Sequence, residues 1–442
     1  MEQEREATFG RKTADSRWLK IFLFLTGTLA STIILKVGQV QYLEILYFIE
    51  LLVLLTVFCR SGYVIRWFRP YLRIAIWYLS FSVATLILSI FALRYDFYFP
   101  GPVSILKYPV VITVSRIIEL LASVSIMLYL ASKFRIDRTK IAFTMRVYFW
   151  VGVVSAFFSI LSYPISVAKI ADLGSYGSSH RMRGFYNEGG PYGLYLISVF
   201  LIGITLYKVG WISKNHLRFT FVILAIAFLG SQSKAAVCAV LVILLIDGLL
   251  AKCFGKRALL IASMTVFLVT IYQVIDLGAA LRNYQRLTLA YERLSHLHAK
   301  DANFVLGRVA GAFIVPKMVE AHPIVGVGWG NYGLVRDAPE YRGAAAFAPA
   351  NDDPGLGLTG MTAELGLPLT FYLAICLILP FIYLRKMQAP LYITNLALLQ
   401  PIVHLFGGQL NLTYPWIVTA FALGLAYSSR QEVEHEMRIE AR

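Results

Sequence analysis

The chain has 442 residues, 58% of them hydrophobic and only 15% charged, with a mean hydropathy of +0.66; soluble domains carry about 25% charged residues, so this composition excludes an ordinary soluble protein and points to a polytopic membrane protein. The net charge of +16 comes from 41 basic and 25 acidic residues, and the basic ones are scattered over many short loops, which argues for cytoplasmic loop charge and against a nucleic-acid face. Four cysteines, Cys59, Cys238, Cys253 and Cys376, fall in or near apolar runs without a CxxC pair, which excludes a disulfide framework or a zinc ribbon.

In chain order, residues 1–17 are polar and charged, and WLKIFLFLTGTLASTIIL (18–35) is the first run long enough to span. Its TLA (28–30) weakly resembles a signal-peptidase site, but the many later spans make an uncleaved first helix the expectation. Further apolar runs follow at about 42–58, 72–93, 110–131, 141–162, 191–207, 217–230, 235–250, 257–276, 358–384, 390–407 and 412–428. Counted against the roughly 20 residues a bilayer helix needs, they predict an all-α polytopic membrane protein of about twelve transmembrane helices. Residues 1–276 then hold helices one to nine, with a shorter outer loop at 163–190. Residues 277–357 form a large, partly helical loop between helices nine and ten. Residues 358–442 hold the last three helices and a tail.

Charge orients this arrangement. With the N-terminus inside, the inner loops hold clusters such as Lys133, Arg135, Arg138 and Lys140, then Lys208, Lys214 and Arg218, then Arg385 and Lys386. The short outer loops hold far fewer: Lys36, then Arg94 and Lys107, then Lys234, and none at 408–411. The bias is continuous and places both termini inside. Two outer segments depart from it: 163–190, with Lys169, Arg181 and Arg183, and the long loop, with eight basic residues including Arg308 and Arg336. Long loops escape the charge rule by length alone; an anionic substrate on the outer face is the functional alternative.

In the long loop, Leu281, Tyr284, Leu287, Tyr291, Leu294 and His298 recur at three and four, an amphipathic helical pattern. A second helix is expected from Asn303 toward Lys317, ended or kinked by Pro316. HPIVGVGWGNYG (322–333) reads as a glycine-rich turn. It is not a dinucleotide fingerprint, because no strand precedes it, and its glycines suit tight backbone turns better than a phosphate cradle. No internal repeat is visible.

Several residues could carry chemistry, each with a plainer alternative. Arg181, Arg183 and Glu188 lie just before Pro191, which marks a helix start. A guanidinium offers fixed, paired donors to a pyrophosphate, whereas a snorkelling interfacial arginine is the plain reading. Arg308 sits among small apolar residues in GRVAGAF, an odd setting for a solvated arginine, and Lys234 closes the short SQSK turn. Arg116 and Glu119 stand three apart inside the fourth span, where they are expected to form a structural pair, with an ion path as the alternative. Asn351, Asp352 and Asp353 precede the tenth span; a carboxylate there could act as a base toward a sugar hydroxyl, or be a solvated turn. Glu364 falls within the membrane region ahead of Gly366 and Pro368, His322 shapes the turn before Pro323, and His404 reads as a satisfied core residue. No cluster with metal-ligand spacing occurs in the outer loops, so no metal or other cofactor is expected.

Three stretches, RMRGFYNEGGPYGLYL, SQSKAAVCAVLVILLI, and Arg308 followed by VEAHPIVGVGWGNYG and TAELGLPLTFYL, come in one order. Together they resemble the O-antigen ligase and Wzy-type polysaccharide polymerase superfamily of bacterial inner membranes. The match covers roughly residues 180–380, and the HPxxGxGxGN stretch with the AELGLP span is its most specific part. The resemblance implies about a dozen helices and a large periplasmic loop between the ninth and tenth. It implies metal-independent glycan transfer from an undecaprenyl-pyrophosphate-linked oligosaccharide to an acceptor hydroxyl, with no cofactor and no nucleic acid. Partners would be the lipid-linked glycan, the bilayer and a chain-length regulator. Matched to the motifs, Arg181, Arg183, Arg308 and Lys234 would hold the pyrophosphate, and Asp352, Asp353 or Glu188 would serve the acceptor hydroxyl. Ligases carry a His-Asn shortly before the last motif. By spacing from Glu364 that place falls near Gly355, and no histidine lies between His322 and His404. The reading is therefore a polymerase, with a ligase next and, from another class, a transporter suggested by Arg116 and Glu119.

Overall fold

The computed structural model describes residues 17–29, 36–37, 40–41, 49, 69–92, 108–168, 175–176, 181–186, 188–250, 308–336, 338–342, 357–405 and 412–440. Thirteen helices occur among them. They are α1 (Arg17–Leu29), α2 (Arg69–Ala92), α3 (Pro109–Ile136), α4 (Arg138–Val167), α5 (Gly189–Lys208), α6 (Lys214–Ser231) and α7 (Lys234–Leu250). After these come α8 (Arg308–Ala321), the one-turn α9 (Tyr332–Val335) and α10 (Pro339–Arg342), α11 (Gly357–Lys386), α12 (Leu391–Leu405) and α13 (Thr413–Glu440). Two ladders of two-residue strands complete the described structure: β1 (Lys36–Val37) with β2 (Val40–Gln41), and β3 (Ser175–Tyr176) with β4 (Arg181–Met182), both antiparallel.

Local chemistry explains where the helices begin and end. Pro109 opens α3 behind an extended Tyr108, a position where its missing N–H costs nothing. Asp137 alone links α3 to α4: its Oδ1 accepts from the Thr139 backbone N–H at 2.9 Å and hydroxyl at 2.6 Å, and its Oδ2 lies 3.2 Å from Lys140 Nζ. Burial works to raise the Asp137 pKa, but Thr139 and Lys140 outweigh it and hold the carboxyl below its usual value. Ser213 caps α6 by accepting from the His216 N–H, and Gln232, left-handed at φ 49°, ends it.

Five of the described helices, α2, α3, α4, α5 and α11, contain stretches long and apolar enough to cross a membrane. Their outward faces fit a hydrocarbon solvent: Phe371 is 70% and Ile118 61% exposed. Neighbours alternate in direction. Along α4 and α5, Tyr148 bonds Ser198 at 2.6 Å and Ser159 meets Tyr192 at 3.1 Å. Along α12 and α13, Thr419 donates to Gln400 Oε1 at 3.0 Å and His404 lies against Trp416. Helix α13 packs most extensively along α3, and Gly424 lets the Phe134 side chain approach where any Cβ would collide. One end of the bundle collects Lys133, Arg135, Arg138, Lys208, Arg385 and Lys386 at its helix termini.

Ten of the predicted spans fall on described helices; those at 42–58, apart from Ile49, and at 257–276 lie outside the described residues, as does the amphipathic pattern at 281–298. The expected division of 217–250 appears as two helices, α6 and α7, parted at Gln232. Three expectations are refined. Of the two alternatives at Pro316, an end to the second loop helix is excluded, because α8 continues to Ala321. The span expected at 358–384 is one element in name only, since α11 breaks at Gly366 (φ 71°, ψ 172°). Helix α13 runs past the apolar run at 412–428 to Glu440.

Candidate functional site

Two polar assemblies occupy the end of the bundle opposite the basic termini. The first is built on the glycine-rich turn. Gly326, Gly328 and Gly330 all have positive φ, a conformation that side chains resist. The turn folds onto the break in α11, whose backbone groups are left without intrahelical partners at Gly366. Val327 N–H donates to the Ala363 carbonyl at 2.9 Å, Gly328 N–H to the Glu364 carbonyl at 3.0 Å, and Leu367 N–H to the Pro323 carbonyl at 2.8 Å. The Glu364 side chain, 1% exposed, completes the union: Oε2 accepts from Gly330 N–H at 2.9 Å and Oε1 from Tyr332 N–H at 3.3 Å. From α3, Thr113 Oγ1 donates to the Trp329 carbonyl at 2.9 Å, and Arg116 packs beside Gly330. Buried Arg336 joins the same neighbourhood. Burial raises the Tyr332 pKa, Arg336 opposes that, and Glu364 reinforces it.

His322 stands at the edge of this clamp, with Nε2 2.8 Å from Tyr341 Oη. Burial lowers its pKa, against the opposing charge of Glu340. Arg116 Nη1 lies 2.9 Å from Glu119 Oε2, the intrahelical pair expected from their spacing. His404 is fully buried against Trp416.

The second assembly joins the shorter loop to the turn between α6 and α7. Arg181 Nε donates to the Ser231 carbonyl at 3.1 Å and Nη2 to the Gln232 carbonyl at 3.3 Å, so one guanidinium caps the end of α6. Ser233 Oγ donates to the Gly190 carbonyl at 2.9 Å, tying the same turn to α5. After Arg183 the chain turns through Gly184 (φ 54°), and Tyr186 N–H donates to the Arg183 carbonyl at 2.9 Å. Tyr186 is then fully buried against the rings of Tyr192, Tyr195 and Tyr414. This anchors the loop and leaves Arg183 half-buried, with Glu188 exposed at the cap position of α5 and Lys234 exposed as the first residue of α7. Two helix N-termini and several cations thus share one surface, a setting that favours an anion.

Of the sequence candidates, Arg181, Arg183, Glu188 and Lys234 belong to this one unit. Part of the Arg181 donor fork is engaged by backbone carbonyls. Arg308 begins α8, but its side chain lies outside the described residues, as do Asn351, Asp352 and Asp353 altogether. Among the described residues no three His, Cys, Asp or Glu side chains gather. The role of Glu364 was missed. The available signal was an ionisable residue in an apolar run, directly before a glycine and a proline. Neither a protein-family model nor a curated protein matches the chain.

Proposed function

We propose that this chain is a Wzy-type polymerase of undecaprenyl-pyrophosphate-linked oligosaccharide repeats. In this reading it has about twelve spans in a bacterial inner membrane, both termini are inside, and the 163–190 and 277–357 loops face the periplasm. The observation that carries it is the union of RMRGFYNEGG with the SQSK turn through Arg181 and Ser231. That union brings two of the three stretches of the resemblance to one cationic surface. Arg183, Lys234 and Arg308 neutralise the leaving pyrophosphate where charge develops, and the remaining donors of Arg181 assist. The diphosphate is a good leaving group and needs no strong acid. Asp352, Asp353 or Glu188 deprotonates or orients the acceptor hydroxyl. No metal takes part, and a chain-length regulator docks from the same side.

A ligase acting on lipid A-core needs a histidine base near the last motif. The nearest histidine on that side, His322, is engaged with Tyr341 Oη, which favours the polymerase. The transporter alternative rested on Arg116 and Glu119, and their mutual pairing serves a structural role as well. The deciding experiment is the polysaccharide profile of a strain lacking the coding sequence. Loss of long chains with single capped repeats surviving supports the polymerase. Loss of all attached repeats supports the ligase, and an unchanged profile overturns both.

A further inference from the structure

A cavity of 640 Å³ lies between α5, α6, α7 and α12, within the range of about 300–1,000 Å³ typical of small-ligand sites. Its walls are apolar, among them Phe200, Phe228, Leu229, Val240 and Ile243. Polar character is confined to one end, where Lys208, Asp247 and Asn395 face it. That end is where α5 and α7 finish and α12 begins. Lys208 is 19 residues along α5 from Gly189, about 28 Å at the helical rise. The cavity mouth is therefore remote from Arg181, Arg183 and Lys234.

The polar end is incompletely satisfied. Asn395, 5% exposed, donates its amide to Asp247 Oδ2 at 2.9 Å. Asn395 Oδ1 and Asp247 Oδ1 are both shielded from solvent and have no hydrogen-bond partner among the described residues. Unsatisfied acceptors in an apolar setting are costly, and both line the same cavity. Their complement is a group rich in N–H donors, and a carboxylate favours one that is positively charged. Lys208 adds a cation that suits a phosphate. An apolar tail, a phosphate and a terminal ammonium together describe an aminophospholipid.

We propose that this cavity binds one phosphatidylethanolamine molecule, with an acyl chain between the four helices, the phosphate at Lys208 and the ammonium at Asp247 and Asn395. Phosphatidylcholine is the sharpest control, having the same net charge and tails but no N–H donors. The test is native mass spectrometry of the full chain released from nanodiscs. The nanodiscs hold equal parts phosphatidylethanolamine, phosphatidylcholine and phosphatidylglycerol with matched acyl chains. The wild type should retain one phosphatidylethanolamine about tenfold over phosphatidylcholine, the scale of a charge-assisted hydrogen bond. Asp247→Asn, close in shape, should reduce that preference to about threefold or less, and Leu244→Trp, which fills the cavity, should remove the bound lipid. Equal retention of the two zwitterionic lipids, retention of phosphatidylglycerol at the same level, or an Asp247→Asn preference as large as the wild type's would each overturn the assignment. The wild-type measurement stands by itself if a variant fails to fold. None of these outcomes depends on polymerase activity.

Discussion

The two polar assemblies at one end of the bundle are built in opposite ways. In the glycine-turn clamp a buried carboxylate, three backbone pairs and a threonine hold the turn to α11 and α3. In the arginine unit the backbone is fixed by one guanidinium, one serine and the buried Tyr186 ring, while Lys234 and Glu188 remain exposed. The most recognisable stretch of sequence, HPIVGVGWGN with AELGLP, is therefore architecture. The less recognisable one presents the charges. A motif is specific where backbone geometry restricts residue choice, and that need not be where the chemistry occurs.

The largest effect is expected at the centre of the clamp. Glu364→Ala leaves the Gly330 and Tyr332 N–H groups buried without an acceptor, a loss of about 3–5 kcal/mol. The variant should give little monodisperse protein in detergent, while Glu364→Gln, which keeps an acceptor oxygen, should be affected about half as much. Full yield and an unchanged melting temperature for Glu364→Ala would show that the clamp is not what holds these segments together.

Glycine substitutions sharpen the contrast next. A Cβ at Gly326 would collide with the Glu364 carbonyl, at a φ of 63°, so Gly326→Ala should cost about 2–3 kcal/mol. Gly190, in the arginine unit, lies in α5, where a Cβ would have no atom of the described residues within 4 Å. Gly190→Ala should be neutral or stabilise by up to about 1 kcal/mol. Melting of both variants by fluorescence-detected size exclusion decides this, and equal losses would erase the distinction between the two assemblies.

These residues also show what the sequence made legible. Apolar run length and turn residues located ten helices, five of them with stretches long and apolar enough to cross a membrane, because such stretches need only composition and length. The break in α11 was hidden inside an unbroken apolar run; Gly366 and Pro368 were visible, but the partner that stabilises the break lies some 40 positions upstream, at 323–328. The pairing of Arg116 with Glu119 was legible from helical spacing, being local. Engagement of Arg181 by Ser231 and Gln232 was not, since no periodicity links residues 50 apart.

Within the arginine unit, position rather than charge separates Arg181 from Arg183. Arg181→Lys loses the planar fork that reaches two carbonyls, so it should lower stability by about 1 kcal/mol. If the proposed function holds, polymer length should also fall. Arg183→Lys should shorten polymer too. Chain-length distributions in a complemented deletion strain, with membrane levels measured alongside, test both. Normal polymer from Arg183→Lys, Arg181→Lys and Arg308→Lys at equal expression would rule out paired-donor contacts to phosphate, because lysine snorkels as well as arginine.

The smallest effect expected is a pH dependence at the clamp's edge. His322 has its pKa lowered by burial, with Glu340 only partly offsetting this. In the unfolded chain the imidazole returns to about 6.5. Between the lowered folded value and about 6.5, the unfolded state binds more protons than the folded one, so stability rises with pH across that window and falls on acidification. The neutral ring can accept from the Tyr341 hydroxyl, whereas the protonated ring can only donate to it. Lowering the pH from about 7 to about 5 should therefore loosen the turn locally. The readout is backbone hydrogen exchange at Gly326, Val327 and Gly328, corrected for the intrinsic pH dependence of exchange; their N–H groups donate to His322, Ala363 and Glu364. Protection should decline toward pH 5 in the wild type and stay level in His322→Phe, which keeps a ring at the edge but cannot be protonated. A decline of equal size in both proteins would assign the pH sensitivity to another group.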